Sequence, residues 1–228
     1  MTQNDPAVTD TIDNNEPFDP EPRWPAFIAI IAVGGLSAAL PESLTMGARW
    51  LFPSLVLALL IPTIVAHHAG SHRLNTIFGF AVDAILTVGL VNSLVLLINS
   101  LPTRQETPQA LLLSAACLWI TNILVFALWY WRLDAGGPQQ RDQRVGHADG
   151  AFLFPQMTMT AAALKQAGQQ DWSPNFVDYL FLAFNTSTAF SPTDVPVLAR
   201  WGKILMMIQA TLSLLIIALL AARAVNIL

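Results

Sequence analysis

The residues best suited to chemistry fall in one stretch near the C-terminus: Thr186, Ser187, Thr188, Ser191, Thr193 and Asp194, within the run NTSTAFSPTD. Hydroxyls and a carboxylate at such close spacing suit a cation or a water file, because oxygen ligands replace the hydration shell of an ion. Just before them lies an apolar stretch, Phe176 to Phe184, that is too short to cross a bilayer and passes straight into polar, Pro-bearing sequence. Backbone of that kind is tolerated at membrane depth only where protein or water surrounds it. The pattern predicts a re-entrant element over 172–198, a short helix that dips into the membrane followed by a polar return. Ser173 as N-cap and Pro174 at the first helical position would start the helix, and about three turns would bring it to Asn185.

Other polar residues stand inside apolar runs. Asp83 lies about two turns into the third run, where a carboxylate is costly unless it is paired, protonated or wetted. It reads either as an ion or proton site, or as a carboxylate that snorkels or bonds a neighbouring helix. Asn92, nine residues on, faces the opposite side of the same helix. Asn122 and Gln209 sit deep in their runs and read as hydrogen bonds between helices. Asp178 and Asp194 bracket the dipping segment. They would concentrate cations at a pore mouth, or Asp178 would favour the start of its helix through the macrodipole. His67, His68 and His72 cluster at the end of the second run, and His68 with His72 has a spacing that suits a metal. Gly70 and Ser71 interrupt the helix between them, so a loop at headgroup level is the preferred reading, with no metal and no cofactor. Nothing points to an enzyme: there is no Gly-rich phosphate loop, no metalloprotease His-Glu pattern and no nucleophile with an evident base.

The elements that must position these residues are helices in lipid. Of the 228 residues, 54% are hydrophobic and 11% charged, against about 25% charged in soluble domains. The apolar residues come in runs of about 20, the length that crosses roughly 30 Å of hydrocarbon. The sequence therefore reads as an all-α integral membrane bundle of five transmembrane helices plus the re-entrant element. The spans expected are Pro25–Leu44, Trp50–Ala66, Thr76–Ile98, Pro108–Trp131 and Lys203–Arg223. Residues 1–23 form an acidic tail that lacks the apolar content to order itself and does not have the basic start of a signal peptide. Residues 24–131 form a four-helix region whose short loops make antiparallel neighbours. Residues 132–171 form a polar loop with an interfacial helix over Ala151–Leu164, and 199–228 carry the final span. Gly34 with Ala38 and Gly35 with Ala39 permit close helix approach. The single cysteine, Cys117, forms no intrachain disulfide, and no basic run suggests nucleic acid. The lipid bilayer is the partner that composition implies.

Helix, short dipping helix, polar loop and helix over 111–228 resembles the pore module of the potassium-channel family. Thr186, Thr188 and Asp194 match that family's filter pattern Thr-x-Thr-Thr-Val-Gly-Tyr-Gly-Asp, and Trp201-Gly202-Lys203 is similar to the opening of its inner helix. The resemblance implies a homotetramer around an axis lined by Thr186 to Asp194. Ala189, Phe190, Ser191, Pro192 and Thr193 depart from the pattern: Ser191 and Thr193 replace the filter glycines, and Pro192 replaces the tyrosine with a fixed φ. Potassium selectivity is therefore not implied. WYWRLDAGGP, TAFSPTD and ARAVNIL together also resemble a family of uncharacterised bacterial multi-pass proteins, which implies the bacterial inner membrane.

Orientation provides a separate criterion. On the channel plan residues 132–203 lie outside, which places Arg23, Arg73, Arg132, Arg141, Arg144, Lys165, Arg200 and Lys203 outside and only Arg49, Arg104 and Arg223 inside. The positive-inside rule prefers the inverse.

Overall fold

The computed structural model of the chain describes residues 20–45, 47–68, 71–100, 107–143, 150–170, 172–189 and 194–225, and of 66–68, 72 and 223–225 it describes the backbone. The helices are α1 (Trp24–Ala38), α2 (Leu51–His68), α3 (His72–Ser100), α4 (Pro108–Leu133), α5 (Pro138–Asp142), α6 (Ala161–Gln166), α7 (Phe176–Thr188) and α8 (Arg200–Val225). Among the described residues every other regular feature is a short 3-10 turn or an isolated antiparallel bridge between Phe152 and Val197.

Among the described residues three helical stretches are long and apolar enough to cross a membrane: Arg73–Ser100, Pro108–Gly136 and Arg200–Ala222. Two more, Trp24–Ala38 and Leu51–Val65, are apolar but shorter. The first expected span, Pro25–Leu44, thus ends six residues early. Pro41 accounts for this, since the residue before a proline is driven out of the helical region; the chain resumes only as a 3-10 turn at Glu42–Leu44.

The bundle is built around α4, which packs against α1, α3, α7 and α8, while α2 packs on α1 and α3. α3 and α4 run antiparallel. At the end of the bundle where α4 finishes, an extended stretch after Gly150 pairs with the chain leading into α8. Leu153 N donates to Pro196 O at 2.9 Å and Leu198 N to Ala151 O at 2.7 Å. The fully buried Phe152 ring joins the parts, 5.2 Å from Tyr130, 6.2 Å from Tyr179 and 5.8 Å from Trp201. Tyr179 lies in the first turn of α7, so both ends of the segment 176–197 sit at this one end of the bundle. α7 and α8 start there side by side and run parallel to each other, antiparallel to α4.

Two local predictions are corrected. α7 does not start on Ser173-Pro174. Asn175 is its N-cap: its side chain accepts from Val177 N at 2.9 Å, while Asn175 N donates to the Asp178 carboxylate at 2.8 Å. This reciprocal capping box satisfies two donors that a lone Ser173 would leave open. The helix then continues past Asn185 to Thr188, and the Thr186 and Thr188 hydroxyls donate back to Leu182 O and Phe184 O within it. The stretch Ala151–Leu164 is also not one helix. Pairing with 196–198 keeps its start extended, Pro155 opens a 3-10 turn over Pro155–Thr158, and only Ala161–Gln166 is α-helical.

Candidate functional site

Asp83 and Arg132 form a buried charged contact between α3 and α4. Antiparallel packing brings the last turn of α4 beside the first turns of α3, and Arg132 Nε donates to Asp83 Oδ2 at 2.5 Å with both side chains buried. The guanidinium also lies 5.9 Å from the Phe80 ring and 5.5 Å from the Trp131 ring, positions in which ring quadrupoles favour a cation. Gly79 makes the approach possible, since a Cβ there would stand 1.8 Å from Arg132 Nη1. Asp83 Oδ1 has no hydrogen-bond partner among the described residues. On the same face Trp129 Nε1 donates to Thr87 Oγ1 at 2.8 Å, and that hydroxyl donates to Asp83 O at 2.7 Å.

A second charged cluster adjoins the first through Trp131. Its indole N–H donates to Glu21, whose other carboxylate oxygen accepts from Arg141 Nη2 at 2.9 Å and Arg23 Nη1 at 3.2 Å. Arg23 also pairs with Asp142, and Glu21 N donates to Asp142 Oδ1 at 3.1 Å. Arg141 Nη1 caps α4 by donating to the carbonyls of Trp131 and Asp134 at 2.8 and 2.9 Å. Asp134 in turn accepts from Tyr179 OH at 2.7 Å and from Ala151 N at 2.5 Å. The turn that makes this possible has positive φ at Ala135, Gly136 and Gly137, 50°, 82° and 92°, which two glycines make accessible. It folds α5 back so that Arg141 reaches the open carbonyls of α4. Burial pushes the Arg23 guanidinium down from its ordinary value, with Asp142 and Glu21 opposing. Glu21 is buried, so the expected disordered tail gives way to fixed structure by that residue; 1–19 lie outside the described residues.

The third cluster is uncharged and lies deeper, between α4, α7 and α8. Gln209 Nε2 donates to Ala183 O at 2.7 Å and to Ser187 Oγ at 2.8 Å, and Gln209 Oε1 accepts from Tyr130 OH at 2.5 Å. Asn122 Nδ2 donates to Gln209 O at 3.3 Å and reaches Ser187 Oγ at 3.5 Å. Ser213 Oγ donates to Ser187 O at 2.8 Å and accepts from Trp119 Nε1 at 3.1 Å. Ser187, Asn122, Gln209 and Ser213 are fully buried.

The predicted lining residues are thus divided. Thr186 and Ser187 are buried on the inner face of α7, and Thr188 is half-buried at its tip. Asp194 is exposed, while Ser191 and Thr193 lie outside the described residues. Asp178 serves its own capping box. Asn92 is not brought to Asp83: it borders a separate cavity of about 30 Å³ with Ser37, Phe52, Ser93 and Leu118, and its Nδ2 has no partner among the described residues. The side chains of His67, His68 and His72 lie outside the described residues.

Arg132, Glu21, Asp134, Arg141, Tyr130, Ser213 and Trp119 did not stand out in the sequence. For Arg132 the signal was present, since antiparallel neighbours put the end of α4 beside the start of α3. For Glu21 and Arg141 there was none, because their meeting depends on the turn at Ala135–Gly137.

Buried pairs between long apolar helices and outward-facing apolar side chains on α3 and α8 are the construction of a helical membrane protein. Comparison with family models, characterised proteins and solved structures finds no match to the chain.

Proposed function

We propose that the chain is a five-span protein of the bacterial inner membrane with a re-entrant helix and loop at 176–197, and that it works as a non-conducting subunit or regulator. Two observations support the re-entrant plan. α7 starts at the end of the bundle to which Pro196–Leu198 returns, and its 13 residues reach about 20 Å, short of a full crossing. α1 and α2 cross as short spans, at a cost of fractions of a kcal/mol per Å of mismatch.

The observation that carries the non-conducting reading is Ser187. Its hydroxyl and carbonyl, which a pore would turn toward an axis, are both engaged by Gln209, Asn122 and Ser213 of its own chain. The re-entrant element is then a packing device. Purified protein in liposomes should carry no ion flux, and a distinct membrane protein should co-purify with it. Ion flux that Asp194→Asn and Thr188→Val alter would overturn this reading and establish the alternative, a pore-loop channel not selective for potassium. That alternative draws on the exposure of Asp194 where the loop returns. A transporter using Asp83 has less support, since Arg132 occupies one carboxylate oxygen.

A further inference from the structure

At the end of the bundle where α4 finishes, the described charges sort by depth. The acids there turn inward: Glu21 and Asp142 meet Arg23 and Arg141, Asp83 meets Arg132, Asp134 accepts from Tyr179 and Ala151, and Asp178 closes its capping box. The cations left over turn outward. Arg73, Lys165, Arg200 and Lys203 are exposed, and among the described residues they have no ion-pair partner and Asp194 is the one exposed acid at this end. Among the described residues, this end of a chain of formal net charge −4 therefore presents a rim of unpaired cations. At the opposite end the exposed Arg49 has an acid, Glu42, 3.9 Å away.

Arg200 and Lys203 also stand at the head of an unpartnered apolar face. Ile204, Met207, Ile208, Leu214 and Leu215 are all exposed along α8, and their three-, four- and seven-residue spacing puts them on one stripe. Cations at one end of an apolar stripe match an amphiphile with an anionic head, its phosphate at the guanidinium and ammonium groups and its acyl chains along the helix. A protein partner covering this stripe would need acids at its rim, and a zwitterionic lipid offsets its phosphate with its own ammonium group, so it brings the two cations no net counter-charge.

We propose that the rim headed by Arg200 and Lys203 binds anionic phospholipid, and that it orients the bundle with residues 134–175 on the anionic, cytoplasmic leaflet. This is the inverse of the channel orientation. It goes beyond the proposed function and is independent of whether the loop conducts.

The test uses the full chain in neutral detergent, titrated with phosphatidylglycerol or phosphatidylcholine, with bound lipid counted by native mass spectrometry. Phosphatidylglycerol should be preferred. The Arg200→Gln/Lys203→Gln variant should lose about 25-fold of that preference, at about fivefold per cation, with an unchanged melting temperature in lipid-free detergent. Equal binding of the two lipids, or a variant that keeps the preference, would overturn the site. Orientation is read with Gln169→Cys, an exposed position on the long loop, using native protein with its buried Cys117 as blank. A membrane-impermeant maleimide should label it only after cells are opened; labelling of intact cells would overturn the orientation. Neither arm depends on ion flux, so this idea and the non-conducting reading fail separately.

Discussion

The two ends of the polar interior are held in different ways. Where α4 finishes, the helices are joined by full charges: Asp83 with Arg132, and Glu21 with Arg23 and Arg141. About 15 Å deeper, the ten residues from Arg132 to Asn122 at 1.5 Å per residue, α4, α7 and α8 are joined by uncharged amides, hydroxyls and an indole. The difference follows from what each depth costs. The charged pairs lie at the ends of their helices, where Trp131 and Phe80 rings flank the Arg132 guanidinium, while a charge pair halfway along long apolar helices would meet a larger desolvation penalty. Neutral amides tolerate that depth but contribute less each, averaging about 0.6 kcal/mol in membrane proteins. Substitutions in the charged end should therefore cost several times more than those in the middle.

The largest effect is expected at Asp83. Asp83→Ala leaves a buried guanidinium without its anion, a change that costs about 3–5 kcal/mol. Reversible unfolding in mixed micelles should show this loss. Asp83→Leu combined with Arg132→Met should recover most of it, because replacing both partners by apolar groups removes the unpaired charge. A double variant as unstable as Asp83→Ala would mean that the pair does more than join α3 to α4.

Glu21→Gln keeps the shape of the second cluster and removes the anion shared by Arg23 and Arg141. A loss of about 2–3 kcal/mol is expected, the worth of hydrogen bonds to a charged group. Proteolysis should also speed up ahead of α1, since residues 20–23 would no longer be tied to α5. Unchanged protease sensitivity there would show that the segment is held by something other than this carboxylate.

How far the sequence announces these features depends on their range. The apolar runs predicted every long helix to within a few residues, and Pro41 explains the one early stop. Thr186 to Thr188 looked like loop because hydroxyl-rich runs often are, yet each Thr can donate to the carbonyl four residues back and stay helical. The N-x-x-D box of Asn175 and Asp178 was present in the sequence but lay beside the competing start Ser173-Pro174. Asp83 was visible as costly, and its partner follows from the register of antiparallel helices. Glu21 and Arg141 were illegible: their contact is set by three successive positive φ values, one of them at an alanine, which no local pattern encodes. Ser187 was visible as a hydroxyl, but its inward aim depends on where α7 docks between α4 and α8.

In the deeper cluster Gln209→Leu should cost about 1–2 kcal/mol, the upper range for a polar contact between membrane helices, because the amide serves Ala183, Ser187 and Tyr130 together. Ser187→Ala should cost about 0.6 kcal/mol, since Gln209 keeps its bond to Ala183 O and the Ser187 carbonyl still accepts from Ser213. That small value sharpens the contrast between the two depths, and it bears on function as well. If the Ser187 hydroxyl is only one strand of a packing contact, its removal should change stability slightly and leave liposomes as tight as before. If Ser187→Ala instead opened or closed an ion path at constant stability, the middle cluster would be a gate, and its weakness would be what lets it move.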